Sequence, residues 1–226
     1  MSSSSSRIVK KKRRARTKAM YDYVKKTAQV SLGIQLFATL SLVVSFALPA
    51  SEGVRSILAV ESVSQLVEFV YYAVAVLAYG GVLETWTRYL DWYISTPVML
   101  LSTSMFFFHR SGRDPWTALE GPNLYLSWTW NSVMLGFGLA IELDVMPRFL
   151  GLFLGSAAFV ASWTFLARDL PDDALSTGLF FAIFAVWALY GVAAAFPFAP
   201  RNVAYNLLDL VSKNFYGLFL LVYALS

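Results

Sequence analysis

An all-α bundle of seven membrane-spanning helices is the fold class this sequence predicts, and three observations predict it. The 226 residues are 58% hydrophobic and only 14% charged, with a mean hydropathy of +0.58, whereas an ordinary soluble domain carries about 25% charged residues. Seven apolar stretches can be marked at 25–49, 55–79, 83–108, 122–143, 147–168, 173–196 and 202–225, each close to the roughly 20 residues a helix needs to cross a hydrocarbon core. The breaks between them are built from residues that interrupt helices: Pro49-Ala-Ser-Glu-Gly53, Gly80-Gly81, His109-Arg-Ser-Gly-Arg-Asp-Pro115, Glu142 to Pro147, Arg168-Asp-Leu-Pro-Asp-Asp173 and Pro197-Phe-Ala-Pro-Arg201. Backbone crossing a bilayer must satisfy its own hydrogen bonds, so segments of this length are helices.

Ahead of the bundle, residues 1–24 form a separate region. Ten of the eighteen basic residues fall between Arg7 and Lys26, so the net charge of +4 belongs to this end and the remainder is net acidic. The Ser-rich start and Lys10-Lys-Lys-Arg-Arg14 are not followed by the short apolar region of a cleavable signal. They are expected to form a disordered basic tail near anionic headgroups, and nucleic-acid binding is set aside because a membrane domain, 25–226, is attached. With no cysteine, disulfides and thiolate metal sites are excluded. The connections are too short for a soluble catalytic module, and the chain is not expected to be an enzyme. His109 follows an apolar run and reads as a helix-end residue, so no metal site is expected.

The informative residues are the few ionisable ones inside the spans: Glu61 and Glu68 in the second, Arg88 and Asp91 in the third, Asp209 and Lys213 in the seventh. A lysine at mid-membrane depth costs about 2.5–3.5 kcal/mol on insertion scales, so Lys213 requires a compensating partner or a function. Asp209 lies four residues earlier, on the same helical face, and can supply a counter-charge. Asp91 gives a second carboxylate for the one lysine. If Lys213 carried an aldehyde as a protonated Schiff base, such a carboxylate pair would hold the proton on. Glu61 and Glu68 are a heptad apart and share a face. Asn202, Asn206, Asp209 and Lys213 recur at spacings of four, three and four, a polar stripe with Asn214 beside it. Together these predict a hydrated path along helices two and seven.

Two motifs, Arg88-Tyr-x-Asp-Trp-x-x-Ser-Thr-Pro97 and Asp209-x-x-x-Lys213, supported by Asn131-Ser-Val-Met-Leu-Gly-Phe-Gly138, Arg148-Phe149 and Trp187-Ala-Leu-Tyr190, resemble those of the microbial (type I) rhodopsins over all seven spans. The resemblance implies all-trans retinal held as a covalent Schiff base on Lys213, with Asp91 and Asp209 as its counterion complex and Asp91 as first proton acceptor. It implies that Arg88 lies on the extracellular side of those carboxylates and that Tyr190 bonds Asp209. Trp92 and Trp187 would sandwich the polyene, Met134, Gly138 and Phe159 would shape its ring end, and Thr96 would belong to the same pocket.

Departures from the family pattern narrow the implied function. Ser102 stands where outward proton pumps carry a carboxylic donor, which disfavours pumping. Arg201 stands at a release-glutamate position, and Gly191 replaces the usual sixth-helix proline. Glu61, Glu68 and Asn214 fall where channelrhodopsins carry pathway and gate residues, with Asn206 and Ser102 on the same pathway, although Thr96 and Asn131 replace the gating pair of the algal channels. The short chain is similar to the compact rhodopsins of giant algal viruses. The resemblance therefore implies a light-gated cation channel first, an outward proton pump second and a sensory photoreceptor third. Its partners would be retinal, protons and monovalent cations and the bilayer of a plasma or host-cell membrane. Bundles of this kind often form homo-oligomers, but no interface is readable. The family places its N-terminus outside, whereas the basic first segment argues for the cytoplasm; both orientations stay open.

Overall fold

The computed structural model describes the backbone of residues 2–47 and 49–225, with side chains from residue 18 onward. Among these residues there are helices and no strands. Seven helical rods follow in chain order: α1 (Ser2–Ser45), α2 (Glu52–Leu77), α3 (Arg88–Arg110), α4 (Pro122–Glu142), α5 (Arg148–Leu166), α6 (Ala174–Ala194) and α7 (Phe198–Leu225). Each packs on its neighbour in the chain, and α7 closes the ring against α1 and α2.

Five of the rods are long and apolar enough to cross a membrane by themselves. The exceptions are α3 and α4. The first carries Arg88 and Asp91 together with several buried hydroxyls; it is sheltered by other helices and needs little lipid-compatible surface. The second buries Ser127 and Asn131 against α3 and α5.

Two sequence expectations change. The segment 1–24, expected to be a disordered tail, is helical from Ser2 and runs into the first span without a break. Its Lys, Arg, Ala and Met residues are good helix formers, and no Gly or Pro precedes Gly33. The seventh rod begins at Phe198 and not at 202, because Pro200 falls in its first turn, where a missing N–H costs nothing.

Local chemistry fixes the ends. Ser51 caps α2, its hydroxyl accepting from Val54 N. Asp173 caps α6 through Leu175 N and Ser176 N and pairs with Arg110 at 3.0 Å. Slight burial works against the ionised carboxyl, but bonds from Ser176 and Arg110 outweigh it and hold Asp173 at about 2. Gly81 (φ 84°) turns the chain after α2 with Lys25 Cα only 3.2 Å from where a Cβ would stand, so a side chain there would push α1 away.

Bilayer tails are as apolar as leucine, so interior contacts are set by close fit and interhelical bonds. Trp128 Nε1 donates to Pro97 O at 2.9 Å, Asn131 Nδ2 to Thr96 Oγ1 at 2.7 Å, and the Ser127 and Ser162 hydroxyls lie 3.0 Å apart. Such bonds average about 0.6 kcal/mol each, enough to set the register of α3, α4 and α5 but not to carry the fold. At the face opposite the start of α1's span, Leu58, Phe106, Phe107 and Leu220 form an apolar layer.

Candidate functional site

Two buried features meet at the centre of the bundle: a polar seam between α2, α3 and α7, and an apolar cavity between α3, α4, α5 and α6. Lys213, 2% exposed, belongs to both.

Its position depends on an irregularity. Over Leu210–Asn214 the α7 backbone is π-helical, a winding often found at functional sites. Nζ of Lys213 lies 2.8 Å from Asp91 Oδ2 and 3.4 Å from Glu68 Oε1. Asp209, expected from its spacing to supply a counter-charge to Lys213, acts on it through space and forms its direct ion pair with Arg88 at 3.0 Å. It also accepts from Tyr72 at 2.6 Å and from Tyr190 at 2.8 Å. Regular α winding puts residues i and i+4 on one face, but π winding takes more residues per turn, and Lys213 falls short of that face. The second carboxylate at the amine is Glu68, which the sequence places on the ion pathway.

Toward the N-terminal face the seam is a closed network. Arg88 donates to Asn202 at 3.2 Å, to Asp209 and to Asn206. Tyr72 donates its one hydroxyl hydrogen to Asp209 at 2.6 Å, with Asn206 Oδ1 3.1 Å away, and Asn206 donates to Thr27 of α1. At that end Arg201 forms a buried ion pair with Glu142 at 2.7 Å. On the other side of Lys213 lies Glu61, fully buried. Its Oε1 accepts from Gln65 Nε2 at 3.1 Å, and its Oε2 lies 2.8 Å from the Ser102 hydroxyl. The Gln65 amide also donates to the Lys213 carbonyl at 2.9 Å. The structure therefore joins Glu61, Ser102 and the back of Lys213, which the sequence leaves apart. Asn214 is buried beside them, and neither of its amide atoms has a hydrogen-bond partner among the described residues.

Gln65 was missed, although its signal is legible: it lies four residues after Glu61 and three before Glu68, on the same face of a membrane helix. Tyr72, one turn beyond Glu68, was also missed as a ligand of Asp209. A tyrosine in an aromatic-rich span gives no such cue.

The cavity measures about 330 Å³. Trp92, Thr96, Met134, Gly138, Phe159, Trp187 and Tyr190 all line it, and Lys213 closes one end. Tyr89, Met99 and Gly155 are among the further wall residues that were not singled out from the sequence. Its only amine is that of Lys213, so an elongated apolar aldehyde would lie between indole rings with its carbonyl carbon toward Nζ. A Cβ on Gly138 would lie 2.9 Å from Tyr89 Cε1 in a ring that is 5% exposed. Gly138→Ala is expected to lower stability by about 1–3 kcal/mol, as overpacking of a filled interior does. Unfolding of the purified protein in detergent measures it, and an unchanged midpoint would contradict the packing described.

Fold and site together define a multi-pass integral membrane protein that encloses an amine-ended apolar cavity over a carboxylate cluster. Residues 26–226 match the family model described as bacteriorhodopsin-like protein, and the chain belongs to that family. Halorhodopsin of Natronomonas pharaonis is 27% identical over 168 residues, 65% of this chain and 53% of that protein, so the match spans about half of that relative's length. The viral rhodopsin OLPVRII has a solved structure that superposes with a TM-score of 0.81 at 26% identity, covering 88% of this chain and 96% of the other. A light-driven proton pump from Leptosphaeria maculans shares the fold at a TM-score of 0.70 and 18% identity, covering 89% of this chain and 95% of that one. Family membership implies a retinal chromophore in a lipid bilayer, and the cavity's size, indole walls and terminal amine fit one.

Proposed function

We propose that the chain is a retinal-binding, light-driven proton transporter, with Asp91 taking a proton from the Lys213 nitrogen on one side and Glu61 replacing it from the other. The observation that carries the reading is the 2.8 Å contact between Glu61 and Ser102. Ser102 alone cannot donate a proton to the site, and that was the objection to pumping. The contact puts a buried carboxyl from α2 beside that residue.

Hydrogen-bond counting fits a proton on Glu61. The single hydroxyl hydrogen of Ser102 has two acceptors within reach, Glu61 Oε2 and Met99 O at 3.1 Å. A hydroxyl has one hydrogen to give. If Ser102 gives it to Met99, a protonated Glu61 completes the other contact as donor.

Bound on Lys213, retinal would supply light-driven isomerisation next to the carboxylates of Asp91 and Glu68. The chain's own residues do the rest. Asp91, 2.8 Å away, is the nearer acceptor and Glu68 the second. Arg88 and two tyrosines hold Asp209 in place, so it stabilises the site's charge without competing for the amine. The Leu58 and Phe106 layer closes the far face to ions at rest.

A light-gated cation channel is the second reading. It is favoured by buried polar atoms along α2 and α7 that have no hydrogen-bond partner among the described residues: Oε2 of Glu68, Oε1 of Gln65 and both amide atoms of Asn214. Buried polar atoms without protein partners are where water or a passing ion is accommodated. The deciding experiment is voltage clamp of retinal-supplied cells with exchange of external sodium, potassium, calcium and pH. A photocurrent of one sign at every voltage is expected for the proton transporter. A current reversing near the cation equilibrium potential would replace that reading with the channel. In that case Glu68→Gln and Asn214→Ala are expected to change current amplitude or selectivity, and unaltered currents in both would remove the α2–α7 path from the account.

A further inference from the structure

Lys213 is 2% exposed, yet it must meet an aldehyde too apolar to arrive through water. The bundle's seams differ in how they are sealed. Between α4 and α5 the helices touch through Gly151, where a Cβ would collide with Ile141, and through the Ser127–Ser162 bond. Between α6 and α7 the Tyr190 hydroxyl bonds Asp209 and Ser212.

Among the described residues the α5–α6 seam is held at two levels, one at an end and one midway along the helices. At one, Arg148 donates to the carbonyl oxygens of Ala194 and Phe196 at 3.4 and 3.2 Å. At the other, Phe159 stacks on Phe184 with ring centroids 5.0 Å apart, and Trp163 packs edge-on against Phe184 and Trp187. Between these clamps the wall is made of Leu152, Gly155 and Ser156 from α5 and Ala188 and Gly191 from α6. Ser156 and Gly191 are exposed on the outside of the bundle while lining the cavity within. Gly191 has nothing within 4 Å of the place a Cβ would occupy. The slot lies within the apolar lengths of α5 and α6 that are long enough to cross a membrane.

We infer that retinal is taken up sideways from the bilayer through this slot between α5 and α6, and that Gly191 keeps the slot open. The inference rests on the retinal reading of the site. Arg148 stands opposite Ala194 and Phe159 opposite Phe184, so in these antiparallel helices Gly155 and Ser156 stand level with Ala188, and Leu152 stands level with Gly191, as opposing jambs of mostly small side chains. The aldehyde carbon passes between them toward Lys213, where condensation with the amine forms the carbon–nitrogen double bond and releases one water. The apolar ring end follows and comes to rest near Phe159 and Met134.

The test is the rate of pigment formation when all-trans retinal is added to retinal-free protein in phosphatidylcholine vesicles. Gly191→Phe puts a ring at the slot, where an added Cβ itself meets nothing within 4 Å, and Ser156→Trp narrows it from the other jamb. Both are expected to slow pigment formation by about tenfold or more, each factor of ten being about 1.4 kcal/mol of barrier, while the final yield stays near that of the unaltered chain. Gly178→Phe is the control, since Gly178 is equally exposed on α6, has nothing within 4 Å and lies away from the cavity. Unchanged rates in both slot variants, or equal slowing by the control, would overturn the inference. Failure of the unaltered protein to form any pigment would overturn the retinal reading itself.

Discussion

Lys213→Ala is expected to give a protein with no visible absorption band however much retinal is supplied. The cavity has one amine, and the other residues of its wall are aromatic, aliphatic, hydroxylic or acidic, so nothing else can bind an aldehyde covalently. The substitution also leaves Asp91 and Glu68 facing one another in a dry interior. Removing one member of a buried pair typically costs about 3–5 kcal/mol, so loss of colour by itself could reflect loss of fold. The double variant Lys213→Ala, Asp91→Asn removes the facing charges and is expected to regain most of that stability while remaining colourless. Absorption spectra and thermal unfolding, measured on both, separate the two effects. A coloured single variant would overturn the assignment of Lys213.

Glu61→Gln is expected to leave colour intact and to damage turnover. Glutamine keeps the shape and can still bond Ser102 and Gln65, but it carries no transferable proton. A positioned proton donor contributes about 10²–10⁴-fold in rate, so recovery of the resting absorption after a flash is expected to slow by a factor in that range. Recovery is also expected to become slower still as pH rises, because the proton then comes from solvent. Flash photolysis across pH measures both. Recovery as fast as in the unaltered protein would remove Glu61 as donor and return attention to the channel reading.

Much of this architecture is legible in the chain because the membrane imposes simple rules. Gly80-Gly81 and the proline-rich breaks mark loops, and a rare buried lysine with nearby carboxylates marks the site. What was not legible depends on registration between helices. Spacing alone put Asp209 beside Lys213, since an i,i+4 pair in α winding shares a face; nothing in Leu-Val-Ser announces a π turn. Ser102 was read as an absence because its partner, Glu61, lies 41 positions away on another helix. The helical start of α1 was missed because charge and serine content were weighed above helix propensity.

The π turn has a mechanical consequence. It stores one residue more than a regular helix would use at that point, so α7 is two screws joined by a slack coil. The first, Phe198–Asp209, is anchored through Asn202, Asn206 and Asp209 to α1, α2 and α3. The second, Phe215–Leu225, buries Tyr216, Gly217 and Leu220. Tightening the coil to α winding would turn one screw against the other by about 100° and shift it by about 1.5 Å, the step of a single residue. The Lys213 carbonyl, already held by Gln65 of α2, is the point about which that slip would occur. A push on the lysine side chain can thus be taken up as rotation of the outer half of one rod, while the bonds that hold Arg88 and Asp209 stay where they are.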